Sequence, residues 1–289
     1  MTSDAILKKR AAVLTSSQRR TRRLAWIYIP LIFMGLFYLM PVYVMVITGL
    51  KPFAEVDLTS MWNLPKAIRF ENFIEAFNRL APNFYNTLAL VVPASIISSL
   101  LGSLNGYILS KWKFPGADIV FPFLLFGMFI PYQSILIPLV QFMRSIGLYG
   151  GIPGLALVHI IYGIPITTLT FRNYFAQLPT EMVEAANIDG AGLLKIYRYI
   201  FLPLSIPAFV VVLIWQFTQS WNDFLFAVAL TRNESYPVTV ALNNLAGSMV
   251  VQWNVQMAGA FLAALPTLLL YILLGNYFMR GLMAGALKG

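Results

Sequence analysis

The sequence has no cysteine and a single histidine, His159. Disulfides, thiolate nucleophiles and Cys/His metal sites are therefore excluded, and cysteine usage says nothing about the redox compartment. Charge is scarce too: 20 Lys and Arg and 11 Asp and Glu make up 11% of the 289 residues, while 59% are hydrophobic. A globular chain carries about 25% charged residues. So few ionised groups cannot cover a water-facing surface over so much apolar mass, which excludes a soluble enzyme and a disordered chain. What remains is an integral membrane protein, and its apolar runs, long enough for membrane helices, make the expected fold all-α.

Nucleotide-binding motifs are also missing. Gly147, Gly150, Gly151 and Gly154 form a glycine-rich stretch, but no Gly-Lys-Ser/Thr follows to complete a phosphate-cradling loop. Gly190-Ala191-Gly192 is followed by Lys195 where a dinucleotide fingerprint needs glycine, and no strand precedes it. ATP hydrolysis by this chain is not expected.

Long apolar runs are abundant. A membrane helix needs roughly 20 mostly apolar residues, and six stretches qualify: Leu24 to Gly49, Thr87 to Leu109, Ile119 to Val140, Ile152 to Phe171, Leu204 to Leu230 and Ala258 to Met279. The first follows basic residues but exceeds the apolar length of a signal peptide, about 7 to 15 residues, and reads as a retained helix. Prolines fall inside these runs, among them Pro131, Pro138 and Pro207, so kinks are expected.

The +9 net charge has a direction. Placing the N-terminus in the cytoplasm puts Lys8, Lys9, Arg10, Arg19, Arg20, Arg22, Arg23, Lys111, Lys113, Arg172, Lys195, Arg198, Arg280 and Lys288 inside. It leaves Lys51, Lys66, Arg69, Arg79, Arg144 and Arg232 outside. The excess of inside Lys and Arg sets both termini cytoplasmic. The chain then divides into a basic segment 1–23, a membrane domain 24–280 and a tail 281–289. A basic balance that would point to nucleic acid in a soluble protein here orients helices, and no nucleic-acid partner is expected.

Three loops are long enough to carry structure. In the outer segment Lys51 to Asn86, Phe70, Phe73, Ile74, Phe77 and Leu80 make the stripe of a short amphipathic helix on the outer face of the bundle. The outer segment Thr231 to Met257 is rich in amides, including Asn243, Asn244 and Gln252. It suits either contact with a partner or plain solvation. The cytoplasmic segment Arg172 to Pro203 starts a short helix at Thr180 with Glu181 and Glu184 in its first turn, and breaks it at Asp189 and Gly190. A second helical stretch follows from Leu193 to Phe201. Met182, Val183, Ala185, Ala186 and Ile188 give the first helix an apolar surface, which fits a docking site for another protein or a helix lying on lipid headgroups.

Asp223, next to Trp221 and Asn222, is the only acid inside an apolar run. An intramembrane carboxylate is a functional hypothesis by default, and an aromatic beside polar groups suits a sugar. The competing role is a hydrogen bond that sets bundle geometry. His159 reads as a packing residue first, with its ring nitrogens as an alternative solute contact. Ion-coupled secondary transport would need more intramembrane charge than Asp223 and His159 supply, and a membrane enzyme would need a convergent catalytic constellation that is not apparent.

The segment Glu184-Ala185-Ala186, then Gly190, Ile200 and Leu202-Pro203, carries every fixed position of the EAA signature of permease subunits in binding-protein-dependent ABC importers. Lys51-Pro52, Glu71-Asn72-Phe73, Lys111-Trp112-Lys113-Phe114-Pro115-Gly116, Ile130-Pro131, Trp221-Asn222-Asp223-Phe224 and the ending Ala284 to Gly289 resemble the maltose-type second permease subunit of carbohydrate importers. The resemblance implies the type I importer fold, with six transmembrane helices and a cytoplasmic coupling helix. It implies assembly in a prokaryotic inner membrane with a second permease, two ATPase subunits that bind ATP and Mg, and an extracytoplasmic solute-binding protein that delivers a sugar. Glu184, Ala185, Ala186, Asp189, Gly190, Ile200, Leu202 and Pro203 would couple to the ATPase, and the tail from Ala284 would approach it. Trp221, Asn222 and Asp223 would line the substrate pathway unless the sugar sits mainly on the other permease. Asn243, Asn244 and Gln252 would meet the binding protein. Permeases for glycerol-phosphate and other polyols are closely similar.

Overall fold

The structure, a computed structural model, describes residues 3–247 and 251–286, with the side chains of residues 3–23, 25, 276 and 278–286 outside the description. The basic side chains from Lys8 to Arg23 and the tail from Ala284 to Gly289 therefore lie outside the described side chains. In chain order the helices are α1 (Ser3–Gly49), α2 (Glu71–Lys111), α3 (Ala117–Phe126), α4 (Tyr132–Ser145), α5 (Ile152–Ala176), α6 (Glu181–Ile188), α7 (Leu193–Ile196), α8 (Leu202–Leu204), α9 (Ile206–Trp221), α10 (Leu225–Leu230), α11 (Val238–Ala246) and α12 (Trp253–Ala286). A π-helical turn, Tyr197–Phe201, joins α7 to α8.

Among the described residues, four helical segments are long and apolar enough to cross a bilayer: Trp26–Gly49, Glu71–Lys111, Ile152–Ala176 and Trp253–Gly275. Two further runs are broken rather than straight. The α3–α4 pair bends by 97° and the α7–α9 stretch by 77°. Proline accounts for both breaks. Ile130 precedes Pro131 and adopts an extended conformation, as a residue before proline must when its α region is crowded. At the second, Pro207 has no N–H to continue the ladder and stands at the start of α9, where that loss is tolerated.

Three expectations need correction. The amphipathic helix of the outer segment is not separate. It is the first third of α2, whose 41 residues run through Pro82 and Pro93 without a break. Its buried stripe is Asn72, Ala76 and Leu80, whereas Phe70, Ile74 and Phe77 are exposed. The fifth apolar run is not one helix to Leu230, because α9 stops at Trp221 and α10 begins at Leu225. The amide-rich outer segment is not a plain loop, since α11 occupies its middle.

Two large apolar clusters lie among the described helices, besides a small one of Ala76, Val255 and Ala258. One gathers Leu80, Leu90, Val91, Met143, Leu155, Val158, Trp221, Phe226, Leu230, Val238 and Val240 toward the α11 end. The other gathers Tyr107, Phe171, Phe175, Val183, Ala186, Ile196, Phe201, Ala208 and Val212 toward the α6 end. Between them, α2, α5 and α9 meet through small and polar residues: Ser95, Ser98, Ser99, Gly102, Ser103, Gly163, Thr167, Thr168 and Gln216. Apolar side chains gain little by leaving lipid for a lipid-like core, so close backbone approach and dispersion hold such a seam. A β-carbon at Gly102 would stand 2.0 Å from Thr167 Oγ1, and one at Gly163 would stand 1.8 Å from Gln216 Nε2.

Candidate functional site

The α6 to α8 segment is held to the bundle by one face only. Val183 and Ala186, one turn apart on α6, are 5% and 8% exposed and enter the cluster around Tyr107. The Tyr107 ring packs on Phe201 at a 4.8 Å centroid separation and on Phe175 at 6.3 Å. Burying a side chain such as Val183 away from water is worth about 1.5–3 kcal/mol. Hydrogen bonds stitch the rest: Tyr107 donates to the Leu193 carbonyl at 3.3 Å, Tyr197 to Ser103 Oγ at 3.1 Å, and Tyr174 to the Leu204 carbonyl at 2.7 Å. Lys111 Nζ, at the end of α2, donates to the Leu178 carbonyl just before α6.

The helix ends as its sequence dictates. Gly190 N donates to the Asn187 carbonyl at 3.0 Å and Ala191 N to the Ala186 carbonyl at 2.9 Å, which is the Schellman pattern. Gly190 has φ +74°, a left-handed conformation that an L side chain rarely adopts. A β-carbon there would meet nothing within 4 Å, so backbone geometry, not space, demands glycine.

Of the eight EAA-loop residues, Glu184, Ala185, Asp189 and Gly190 are exposed together on the outward side. Ala186 is not. It faces the core one turn from Val183, so only Ala185 of the alanine pair can let a partner backbone approach. Ile200 and Leu202 are half-buried, and Pro203 is exposed. Thr180 precedes α6 in a helical conformation without a side-chain capping bond, and its carbonyl accepts from Val183 N and Glu184 N instead. Two outward apolar residues were missed as site residues, Leu194 and Tyr199, which are 65% and 70% exposed; Ile188, part of the apolar surface expected on α6, is 87% exposed. Their position outside the 3.6-residue core stripe was the available signal. These side chains leave apolar surface uncovered on the segment from α6 to α8.

The predicted pathway residues are not alike. Trp221 is 2% exposed; its Nε1 donates to the Ala263 carbonyl at 3.0 Å and its ring stacks on Phe217 at 5.4 Å. It packs the core and presents no face to a solute. Asn222 is exposed and donates to the Thr218 carbonyl at 2.9 Å. Asp223 lies in the break between α9 and α10 and caps α10, with Oδ2 accepting from Ala227 N at 2.9 Å and Oδ1 from Phe226 N at 3.3 Å. His159, the packing residue of the sequence reading, approaches Asp223 Oδ2 through Nε2 at 3.2 Å and Ser220 Oγ through Nδ1 at 3.4 Å. Both partners lie more than 60 residues away in sequence, which no local pattern discloses. The Ser-His-Asp order resembles an acyl-transfer triad, but Ser220 is 1% exposed among packed helices, so no acyl group reaches it.

At the α11 end, Asn243 and Asn244 are exposed, and Gln252 Oε1 accepts from Arg79 at 3.1 Å. Arg144 and Arg232 both lie over the Tyr149 ring, 4.4 and 5.3 Å from its centre. Arg144 hydrogen bonding to the phenol, with the charges of both arginines, lowers the Tyr149 pKa below its ordinary 10.0 despite slight burial.

Residues 94–284 match the family described as binding-protein-dependent transport system inner membrane component. A probable ABC transporter permease protein of Pyrococcus horikoshii is 48% identical over 265 residues, 91% of this chain and 96% of that relative. The xylose/arabinose import permease protein of Haloferax volcanii is 36% identical, over 92% of this chain and 93% of its own length. The glucose import system permease protein of Saccharolobus solfataricus is 32% identical, over 89% and 92%. In fold, the chain is similar to a subunit in the crystal structure of a bacterial ABC transporter involved in the import of the acidic polysaccharide alginate, with a TM-score of 0.74 at 23% identity over 90% of this chain and 98% of that one. The chain thus belongs to the family of inner-membrane components of binding-protein-dependent transport systems, the permease subunits of ABC importers.

Proposed function

We propose that this permease imports a sugar or oligosaccharide, forming the translocation pathway with a second homologous permease, with the α6–α8 loop as the dock for one of two ATPase subunits. The relatives named for xylose/arabinose and glucose import support a sugar as cargo. In this reading the bent α3–α4 and α7–α9 runs are the third and fifth of six spans. The excess of Lys and Arg on the α6 side supports reading that side and both termini as cytoplasmic. ATP and Mg belong to the ATPase subunits, and a solute-binding protein delivers the sugar at the α11 end, where Asn243, Asn244 and Gln252 are available for contact. Asn222 is the pathway-facing member of the Trp221-Asn222-Asp223 group.

One observation carries the coupling assignment. Glu184, Ala185 and Ile188 project from a short helix whose opposite face, Val183 and Ala186, is locked into the cluster shared by α2, α5 and α9. A load on α6 therefore cannot be absorbed locally and passes to the membrane helices. The test is reconstitution. Liposomes holding both permeases and the ATPase subunits should take up sugar only with ATP and binding protein, and Glu184→Lys should abolish uptake while the chain stays in the membrane. Uptake by this chain alone in an ion gradient would instead establish a secondary transporter.

A further inference from the structure

His159 and Asp223 sit where four helices meet. Asp223 caps α10 through two backbone N–H groups, and its own carbonyl accepts from Thr239 Oγ1 of α11 at 2.7 Å. His159 belongs to α5; its carbonyl accepts from Gln216 Nε2 of α9 at 3.3 Å, and Nδ1 lies 3.4 Å from Ser220 Oγ at the end of α9. Phe226 closes the node, edge-on to the imidazole with ring centres 6.0 Å apart. Because both carboxylate oxygens already accept backbone hydrogens, Nε2 is the donor in its 3.2 Å contact with Asp223, and a neutral ring then accepts from Ser220 at Nδ1. Among the described residues no other hydrogen bond joins an α5 side chain to a residue of the α9–α10 break, and this one runs from side chain to side chain.

The position on α5 gives this contact its meaning. α5 ends at Ala176, four residues before α6 starts, so α5 is the helix that the coupling loop moves directly. α10 leads within one residue to Thr231, which bridges to Gly150, and Gly150 N donates to the Leu230 carbonyl at 2.8 Å. We propose that His159 is a positioning residue for transport: through Asp223 it transmits the displacement of α5 to the α10–α11 segment, so that the far end of the bundle changes with the ATPase. This rests on the coupling role proposed for α6. A uniform bundle could pass such motion through packing alone, but the α9–α10 break interrupts the helical ladder at this level. The side-chain link replaces the missing backbone continuity.

The experiment uses the reconstituted importer with both permeases, ATPase subunits and binding protein, and compares His159→Gln, His159→Asn and His159→Leu. Gln has the reach to keep an N–H on Asp223, whereas Asn is one methylene too short. Sugar taken up per ATP hydrolysed should fall at least about tenfold in H159N and H159L, the scale of losing one hydrogen bond to a charged group, and should stay near wild type in H159Q. Spin labels on the exposed positions Gln177, just after α5, and Val228, on α10, give a second readout away from the proposed docks. In H159N the ATP-dependent shift at residue 177 should persist while that at residue 228 is lost. Equal coupling in H159Q and H159N, or an intact shift at residue 228 in H159N, overturns the proposal. If H159L fails to assemble, the Gln/Asn pair still decides. An importer with native His159 and no ATP-dependent shift at residue 177 would refute the coupling role of α6 itself, which is a separate outcome.

Discussion

Asn254, in the first turn of α12, donates from Nδ2 to Oδ1 of Asn72 at 3.0 Å, and Asn72 spends both of its own amide hydrogens, at 2.8 Å each, on the carbonyls of Gly49 and Lys51. One buried side chain thus ties the end of α1 to α2 and α12. Those carbonyls lie at the end of α1 and just beyond it, where intrahelical donors run out. Asn72→Leu removes all three bonds and leaves two buried carbonyls with fewer donors. It should destabilise the protein by about 2–4 kcal/mol, read as a lower unfolding midpoint in detergent. A midpoint equal to wild type would mean that α1 is not held by this residue.

Gly102→Ala should be disruptive because the new β-carbon would meet Thr167 Oγ1 at 2.0 Å and the Thr167 carbonyl carbon at 2.8 Å. The second contact is with backbone, so adding Thr167→Ala relieves only part of the clash. Overpacking of this kind costs about 1–3 kcal/mol or more. Gly35→Ala is the control, since nothing lies within 4 Å there and alanine is the better helix former. Thermal unfolding should rank Gly35→Ala at or above wild type, then the Gly102/Thr167 double variant, then Gly102→Ala lowest.

The sequence made the apolar runs, the Gly190 stop and the EAA loop readable because each depends on neighbours a few residues apart. The Gly190 turn is a local backbone device, and its outcome matches the expectation. Burial around α6 was half readable: a 3.6-residue period separates Val183 and Ala186 from Ala185 and Ile188 only once the direction of the core is known. The bends at Pro131 and Pro207 were legible as kinks but not as 97° and 77°, which depend on what the segments pack against. The Gly102-x-x-x-Gly106 spacing on α2 is a readable signal of close helix packing that an apolar-run scan passes over. His159 with Asp223 is the opposite case, since 64 residues separate a pair that is defined only by the fold.

Tyr149 should ionise below the ordinary tyrosine value of 10.0. Arg144, by hydrogen bonding and charge, and Arg232, by charge, favour the phenolate over the ordinary value of 10.0. Folding releases this proton more readily, so between the folded and unfolded pKa values the unfolded chain binds more protons and stability rises with pH. The tyrosinate absorbance difference between wild type and Tyr149→Phe isolates the group. Its midpoint should rise in Arg144→Gln, and an unchanged midpoint there would remove Arg144 as the cause.

Ile188 offers the cleanest separation of docking from folding. Its side chain is 87% exposed, so Ile188→Asp removes almost no internal packing and should leave the unfolding midpoint unchanged. At a partner surface the same change deletes an apolar anchor and buries a carboxylate beside Glu184, so ATPase recovered with the permease should fall at least about tenfold, a loss of about 1.4 kcal/mol or more. Gly190→Ala tests the neighbouring requirement from the other side. It adds no clash, but it places a β-carbon at φ +74°, which costs about 1–2 kcal/mol and is relieved by unwinding the end of α6. Gly190→Asn, which tolerates the left-handed region, should retain more ATPase binding than Gly190→Ala. Reversal of that order would show that the turn's conformation is not what presents the dock. Full ATPase recovery in Ile188→Asp would place the dock elsewhere on the loop.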